Sequence, residues 1–200
     1  MSLLQGDLFR GPVHLPEGLV YVADLFTPAQ EAELVAQLAA LPFQNFDFHG
    51  FKGNRRTVSF GAHYDFGSES IGAAPAIPDF LLPYLSIAAK LGHVAPDDLR
   101  HLLVTEYPPG AAIGWHRDKG VFDEVIGLSL LSSCTFRLRR RDGDKWRRAS
   151  FIAEPRSGYV LSGPARSEWE HSIPAVERLR YSLTFRTLRK HDHAGTRRRR

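Results

Sequence analysis

His116, Asp118 and His171 are the residues of this chain best suited to chemistry, because two imidazoles and a carboxylate make good ligands for a divalent cation. The first two stand in GWHRDKG, and the third comes 55 residues later in SEWEHSIP. Residues i and i+2 of a β-strand point to one face, so a strand through 116–118 would set His116 and Asp118 side by side, and a distant strand would bring His171 across. Three ligands on one side of an ion leave the opposite positions open, which suits Fe(II) and its co-substrates; zinc is the competing ion. An HxD pair alone is a weak signal, and its weight comes from a segment just beyond His171.

That segment, residues 180–186, reads RYSLTFR. At period two, Arg180, Ser182, Thr184 and Arg186 share one face, and Tyr181, Leu183 and Phe185 share the other. The apolar face requires a core, so the strand should be internal, and its other face then carries two guanidinium groups toward something enclosed. A buried charge needs a partner, and the arginine fork matches a carboxylate, so a small dicarboxylate is the natural candidate. At about 3.3 Å per residue the two arginine Cα atoms lie roughly 20 Å apart and should have different tasks. This pairing favours a dicarboxylate co-substrate on iron over hydrolysis on zinc.

HxD, a distant His and Arg-x-Ser-x-Thr-x-Arg, in this order, resemble the motifs of the AlkB-type Fe(II)/2-oxoglutarate dioxygenases. The resemblance runs from about Leu102 to Arg186 and includes Tyr107 with the Pro-Gly turn after it. It implies a double-stranded β-helix with iron on His116, Asp118 and His171. It also implies that Arg180 binds the far carboxylate of 2-oxoglutarate, helped by Tyr107 and Ser182, with Arg186 nearer the metal, orienting either Asp118 or the near carboxylate. Thr105 stands where family members usually carry Asn, which keeps it a cofactor contact. Gly120 stands where the bacterial repair enzyme is acidic, so that enzyme's substrate recognition does not carry over. The reaction implied is oxidation by O2 of N-alkylated bases in DNA or RNA, releasing the alkyl group. The alternatives are the same chemistry on a protein side chain and a non-catalytic nucleic-acid-binding module.

The substrate contacts implied are Arg55, Arg56, Phe60 and Tyr64, near the join of two early strands, together with Trp169 beside His171. RLRRRDGDKWRR adds seven basic residues, among them Arg139 and Arg141, around Trp146. Such a hairpin can meet phosphates and stack a base, and it can equally be a solvated edge whose charges discourage strand pairing.

The elements that must position these residues are legible in outline. Residues 19–25 read as a strand, and Thr27 as an N-cap with Pro28 at N1 and Gln30 closing a capping box. That helix should run to Leu41 on a stripe of Leu34, Val35, Leu38 and Leu41. Extended segments come next over 43–48 and 57–60, then a second helix over 80–91 with Gly92 ending it. Beyond Leu99 the pattern becomes short strands: 102–107, 114–118, 125–131, 135–139, a turn centred on Asp142-Gly143, then 147–153, 159–162, the His171 region and 179–187. The expectation is a mainly β (α+β) fold, a double-stranded β-helix or jelly roll flanked by N-terminal helices, with one domain over 1–190.

Two hundred residues suffice for a real core, burying about 70% of the unfolded surface. Arg197 to Arg200 account for the whole +4 formal charge, so the basic balance describes a tail over 191–200, expected to be disordered, and not a nucleic-acid-binding body. No apolar run approaches a membrane span. A single cysteine, Cys134, fits a reducing compartment, and a cytoplasmic monomer is expected. Cys134 itself reads as a small strand residue.

Overall fold

A computed structural model describes residues 15–48, 51–65 and 70–189. The basic tail over 191–200 lies outside them. The chain forms β1 (Leu19–Val22), α1 (Pro28–Leu38), β2 (Gln44–Phe48), β3 (Phe51–Asp65), β4 (Ser70–Ala73) and α2 (Leu82–Gly92). It continues through β5 (Leu99–Tyr107), β6 (Ile113–His116), β7 (Phe122–Leu130), β8 (Cys134–Asp142), β9 (Lys145–Ala153), β10 (Gly158–Leu161), α3 (Gly163–Ser167), β11 (Glu170–Ile173) and β12 (Arg180–Leu188).

Two antiparallel sheets result. The larger runs β1-β10-β7-β12-β5-β3-β2, with β4 on the far part of β3, and the smaller runs β6-β11-β8-β9. From β5 onward the chain passes repeatedly between them: β5 in the larger, β6 in the smaller, β7 back, β8 and β9 across, β10 back, β11 across, β12 back. That winding is the expected jelly roll.

Helices α1 and α2 lie on the outer face of the larger sheet. Leu34 and Leu38 of α1 and Leu85, Ala88 and Ala89 of α2 pack against Leu102 and Val104 of β5, Leu128 and Leu130 of β7, and Tyr181, Leu183 and Phe185 of β12. Removing a side chain as buried as Leu38 typically costs about 2–5 kcal/mol. A second cluster, with Tyr107, Phe136, Leu138, Tyr159, Leu161, Trp169 and Ile173, fills the inside of the roll. β12 lies between β5 and β7, so it separates the two clusters.

Helix α1 starts as its sequence requires. Gln30 N donates to Thr27 Oγ1 at 3.2 Å and Thr27 N donates to Gln30 Oε1 at 2.8 Å. It ends at Leu38, three residues short of the expected Leu41, because Pro42 disfavours helical geometry at the residue before it. At the end of α2 the left-handed residue is His93, with φ of 53°, and not Gly92. Gly92 is needed for another reason: a Cβ there would stand 3.0 Å from Ile126, so the helix rests directly on β7.

Two further expectations are corrected. β6 stops at His116, because its only partner is the four-residue β11, so Asp118 lies beyond the strand. The hairpin loop is Gly143-Asp144, one residue later than expected. Asp142 pairs with Lys145, and Gly143 takes a φ of 58°, the first position of a type II′ turn. Among the described residues no helix is long and apolar enough to cross a membrane.

Candidate metal and co-substrate site

His116 and His171 sit directly opposite one another on β6 and β11, and their ring centroids are 4.2 Å apart. Asp118, on the loop after β6, brings Oδ2 to 3.6 Å from His171 Nε2. Among the described residues no three His, Cys, Asp or Glu side chains already stand at metal-ligand spacing; these three are neighbours inside the roll, and their fit to a cation rests on donor type and charge state. Burial, and then the neighbouring His116, drives the His171 imidazole down to about 3, so it is neutral with a lone pair available. Burial alone would raise the Asp118 carboxyl, but Arg186, His171, His116 and Arg166 outweigh it and hold it well below the usual carboxylate range. His116 Nδ1 is 2.9 Å from the Gly114 carbonyl; a proton donated there leaves Nε2 as the free donor. Phe136 stacks on His171 at 5.2 Å and steadies its ring.

Arg186 orients the carboxylate. Its Nε and Nη2 both reach Asp118 Oδ1, at 2.9 and 2.7 Å, leaving Oδ2 turned toward His171. Its Nη1 donates to His101 Nδ1 at 3.1 Å. Of the two tasks open to Arg186, orienting Asp118 is the one the geometry displays. His101 is Arg186's cross-strand neighbour on β5.

At the other end of the same strand face, Arg180 is fully buried. It stands opposite Tyr107, with its guanidinium 5.1 Å from that ring. Nε and Nη2 both donate to Ser129 Oγ, at 3.2 and 2.9 Å, and Nη1 has no partner among the described residues. The hydroxyls of Ser129 and Tyr107 are neutral and do not compensate a buried cation, whose uncompensated cost is several kcal/mol. A carboxylate at this point would satisfy both the charge and the orphan nitrogen. Ser182 lies between Thr105 and Ser129 on the flanking strands, which gives a row of three hydroxyls beside Arg180. A dicarboxylate therefore fits this end.

Four contributors were not visible in the sequence. Ser129 and His101 matter only through cross-strand register. Tyr159 of β10 pairs with Gly127 of β7, and a Cβ on Gly127 would lie 2.2 Å from Tyr159 Cζ and 2.5 Å from its hydroxyl. The ring thus lies over β7, and Gly127's neighbour on the other side is Thr184. Burial raises the Tyr159 phenol, with Arg180, Tyr107 and Asp118 among its titratable neighbours. Arg166 of α3, also buried, donates through Nη2 to the carbonyls of Lys119 and Phe122 at 2.6 and 2.9 Å and so ties down the loop carrying Asp118.

The expected substrate contacts divide. Arg55 is half-buried, with Tyr107 among its electrostatic neighbours, so it faces the site. Arg56, one residue on, faces the opposite way and forks Glu106 at 2.7 and 2.9 Å, while Glu106 also accepts from the Tyr181 hydroxyl at 3.1 Å. Phe60, of the same parity, is buried in the helix-side core. Strand alternation thus removes both Arg56 and Phe60 from the site. The side chain of Tyr64 lies outside the described residues. Trp169 is buried in the inner cluster, with Arg140 over its ring. Arg139 and Arg141 lie on the outer face of the smaller sheet: Arg139 is opposite Glu170 and bonds it at 2.6 Å, whereas His171, next along β11, points inward. Trp115 is half-buried on that same outer face.

Residues 18–186 match the family model described as the 2OG-Fe(II) oxygenase superfamily. A relative named "Alkylated DNA repair protein ALKBH8 homolog" from Arabidopsis thaliana is 27% identical over 92% of this chain and 62% of its own length. "tRNA (carboxymethyluridine(34)-5-O)-methyltransferase alkbh8" from Xenopus tropicalis is 22% identical over 80% of this chain and 25% of its own. "Probable RNA/DNA demethylase ALKBH6" from Danio rerio is 27% identical over 60% and 49%. The chain thus spans less than two thirds of each of these relatives. In fold it is similar to the structure of OsALKBH1, with a TM-score of 0.60, 18% identity and coverage of 87% and 98% of the two chains. It is also similar to a Pseudomonas putida prolyl-4-hydroxylase, with a TM-score of 0.59, 16% identity and coverage of 87% and 94%. The chain belongs to the 2OG-Fe(II) oxygenase superfamily, and with that membership come Fe(II), 2-oxoglutarate and O2.

Proposed function

We propose that this chain removes alkyl groups oxidatively from N-alkylated bases in DNA or RNA, with His116, Asp118 and His171 holding the iron and Arg180 holding the far carboxylate of 2-oxoglutarate. The observation that carries the reading is the buried Arg180 with a partnerless Nη1, on the strand face that also presents Arg186 to Asp118. Tyr107, Thr105, Ser182 and Ser129 line the Arg180 end and supply hydroxyls for the same carboxylate. Iron held by His116, Asp118 and His171, with 2-oxoglutarate held by Arg180, would supply the power to oxidise a substrate C–H bond with O2, giving succinate and CO2. On an N-methyl group the resulting N-hydroxymethyl releases formaldehyde and leaves N–H. The protein orients Asp118 through Arg186, keeps His171 neutral, and sets the site between two sheets. The bound base would be taken out of its stack to reach the pocket, and Arg55 is placed to meet it.

Nucleic acid as the target is supported by the printed names of the relatives, which refer to alkylated DNA, tRNA and RNA/DNA. The test is a screen of methylated oligonucleotides and methylated peptides with Fe(II), 2-oxoglutarate and ascorbate, read out by formaldehyde and succinate. The reading predicts both products with an oligonucleotide. Product with peptides alone would move the target to a protein side chain, and failure of anaerobically purified protein to bind iron would leave a non-catalytic module.

A further inference from the structure

The β8–β9 hairpin places like charges directly across from one another twice in succession: Arg139 opposite Arg148, and Arg140 opposite Arg147. Such pairs are destabilising unless counter-charges are near. Arg139 has Glu170, and Arg140 has Glu168. Arg147 and Arg148, both exposed, have no carboxylate partner among the described residues. On the outer face, Arg137 bonds only the Ser172 hydroxyl, at 3.1 Å, and Arg141 the Asp144 carbonyl, at 3.3 Å. Four arginines (Arg137, Arg139, Arg141 and Arg148) therefore share that face with one glutamate, Glu170, while the hairpin's aspartates sit at its tip.

Aromatic rings are interleaved with these charges. Arg137 and Arg139 lie 5.1 and 4.5 Å from the Trp115 ring, and Arg139 and Arg141 lie 4.3 and 4.6 Å from the Trp146 ring. Each ring is thus engaged by two guanidinium groups, and the base-stacking role expected of Trp146 is assigned to Trp115 because of the open space beside its ring. That ring borders a cavity of about 300 Å³ whose other walls include Arg137, Arg148 and Ser150. The volume is at the lower end for a small-ligand site. A planar ring, a hydroxyl and two guanidinium groups around one concavity match an unstacked base with its flanking phosphates.

We propose that the outer face of the smaller sheet, along β8 and β9, is a binding track for single-stranded nucleic acid, separate from the pocket in which the reaction occurs. The track shares its partner class with the proposed function, but not its residues: His171 and Glu170 point to opposite faces of β11. A single strand is favoured over a duplex because the cavity beside Trp115 admits a base only when it is splayed from its neighbours.

The test is fluorescence anisotropy with a labelled oligouridine of about 12 nucleotides, a length suited to one such surface. Arg148→Glu changes an exposed residue with no bonded partner among the described residues. It should weaken binding about tenfold at low salt and lower the slope of log K against log salt by about one. Trp115→Ala should weaken binding without altering that slope. Binding of 2-oxoglutarate, followed by calorimetry, should be unchanged in both variants, which separates loss of the track from loss of the fold. Unchanged oligonucleotide affinity in Arg148→Glu would overturn the track, as would a wild-type protein that binds an acidic peptide and not the oligonucleotide. Because this assay needs no turnover, it stands or falls independently of the formaldehyde assay.

Discussion

Arg186 grips a single oxygen of Asp118 with two of its nitrogens, at 2.9 and 2.7 Å, and leaves the other oxygen facing His171 at 3.6 Å. A carboxylate beyond the end of its strand, on a loop, is in this way aimed as firmly as one within a sheet. The proposed ligand geometry thus depends on a residue that is not itself a ligand.

Arg186→Met should consequently weaken metal binding by about 10–100-fold, the range typical for losing a partner that orients a ligand. The fold should survive, since the strand's other face is untouched. Titration with Co(II), followed by its visible absorption, measures the change. An affinity equal to wild type would show that Asp118 needs no orienting.

Arg180→Met removes a buried cation whose Nη1 is unpartnered. Replacing a buried charge with an apolar side chain of similar volume is often neutral or stabilising, so the thermal midpoint without co-substrate should hold or rise. Saturating 2-oxoglutarate should raise the wild-type midpoint; at about a hundred times Kd the gain is roughly 2.7 kcal/mol, and the variant should gain nothing. Thermal scans with and without 2-oxoglutarate decide it.

Gly127→Ala puts a methyl group 2.2 Å from the Tyr159 ring. Overpacking of this kind costs about 1–3 kcal/mol, measurable as a lower urea midpoint. Tyr159→Leu in the same chain should restore part of the loss, because the clash lies with the ring and not with the β7 backbone.

Acid should destabilise the metal-free protein. The unfolded His171 imidazole takes up a proton near pH 6.5, whereas the folded one resists until about 3. The unfolded state then binds more protons, so stability present above pH 6.5 is lost as pH falls through that window. Asp118, also depressed on folding, adds a loss of the same sign at lower pH. Urea midpoints in EDTA at stepped pH should decline, and His171→Asn should flatten the upper part of the decline.

Much of this site was legible in the chain because its information is local. The alternation of 180–186 predicted an internal strand with arginines on one face, and β12 lies between β5 and β7 with Tyr181, Leu183 and Phe185 under the helices. The capping box at Thr27 and Gln30 is equally local. What was missed depends on which strands become neighbours. Ser129 reaches Arg180, and His101 reaches Arg186, only through the register of β12 with β7 and β5. Arg56 and Phe60 were misplaced by one step of parity: nothing in residues 54–60 says which of two alternating sets faces inward, and Glu106 decides it from another strand. Nor does the sequence show that β6 forms an outer edge of the smaller sheet, where Trp115 lies under arginines instead of in a core.

The two-faced character of β12 has a cost for evolution. Inserting or deleting one residue within it would invert the strand, driving Arg180 and Arg186 beneath the helices while Tyr181, Leu183 and Phe185 entered the cavity. No intermediate exists in which only the fold or only the chemistry suffers. Length changes in this family member should therefore collect in loops elsewhere, and the nine residues of β12 should behave as an indivisible unit.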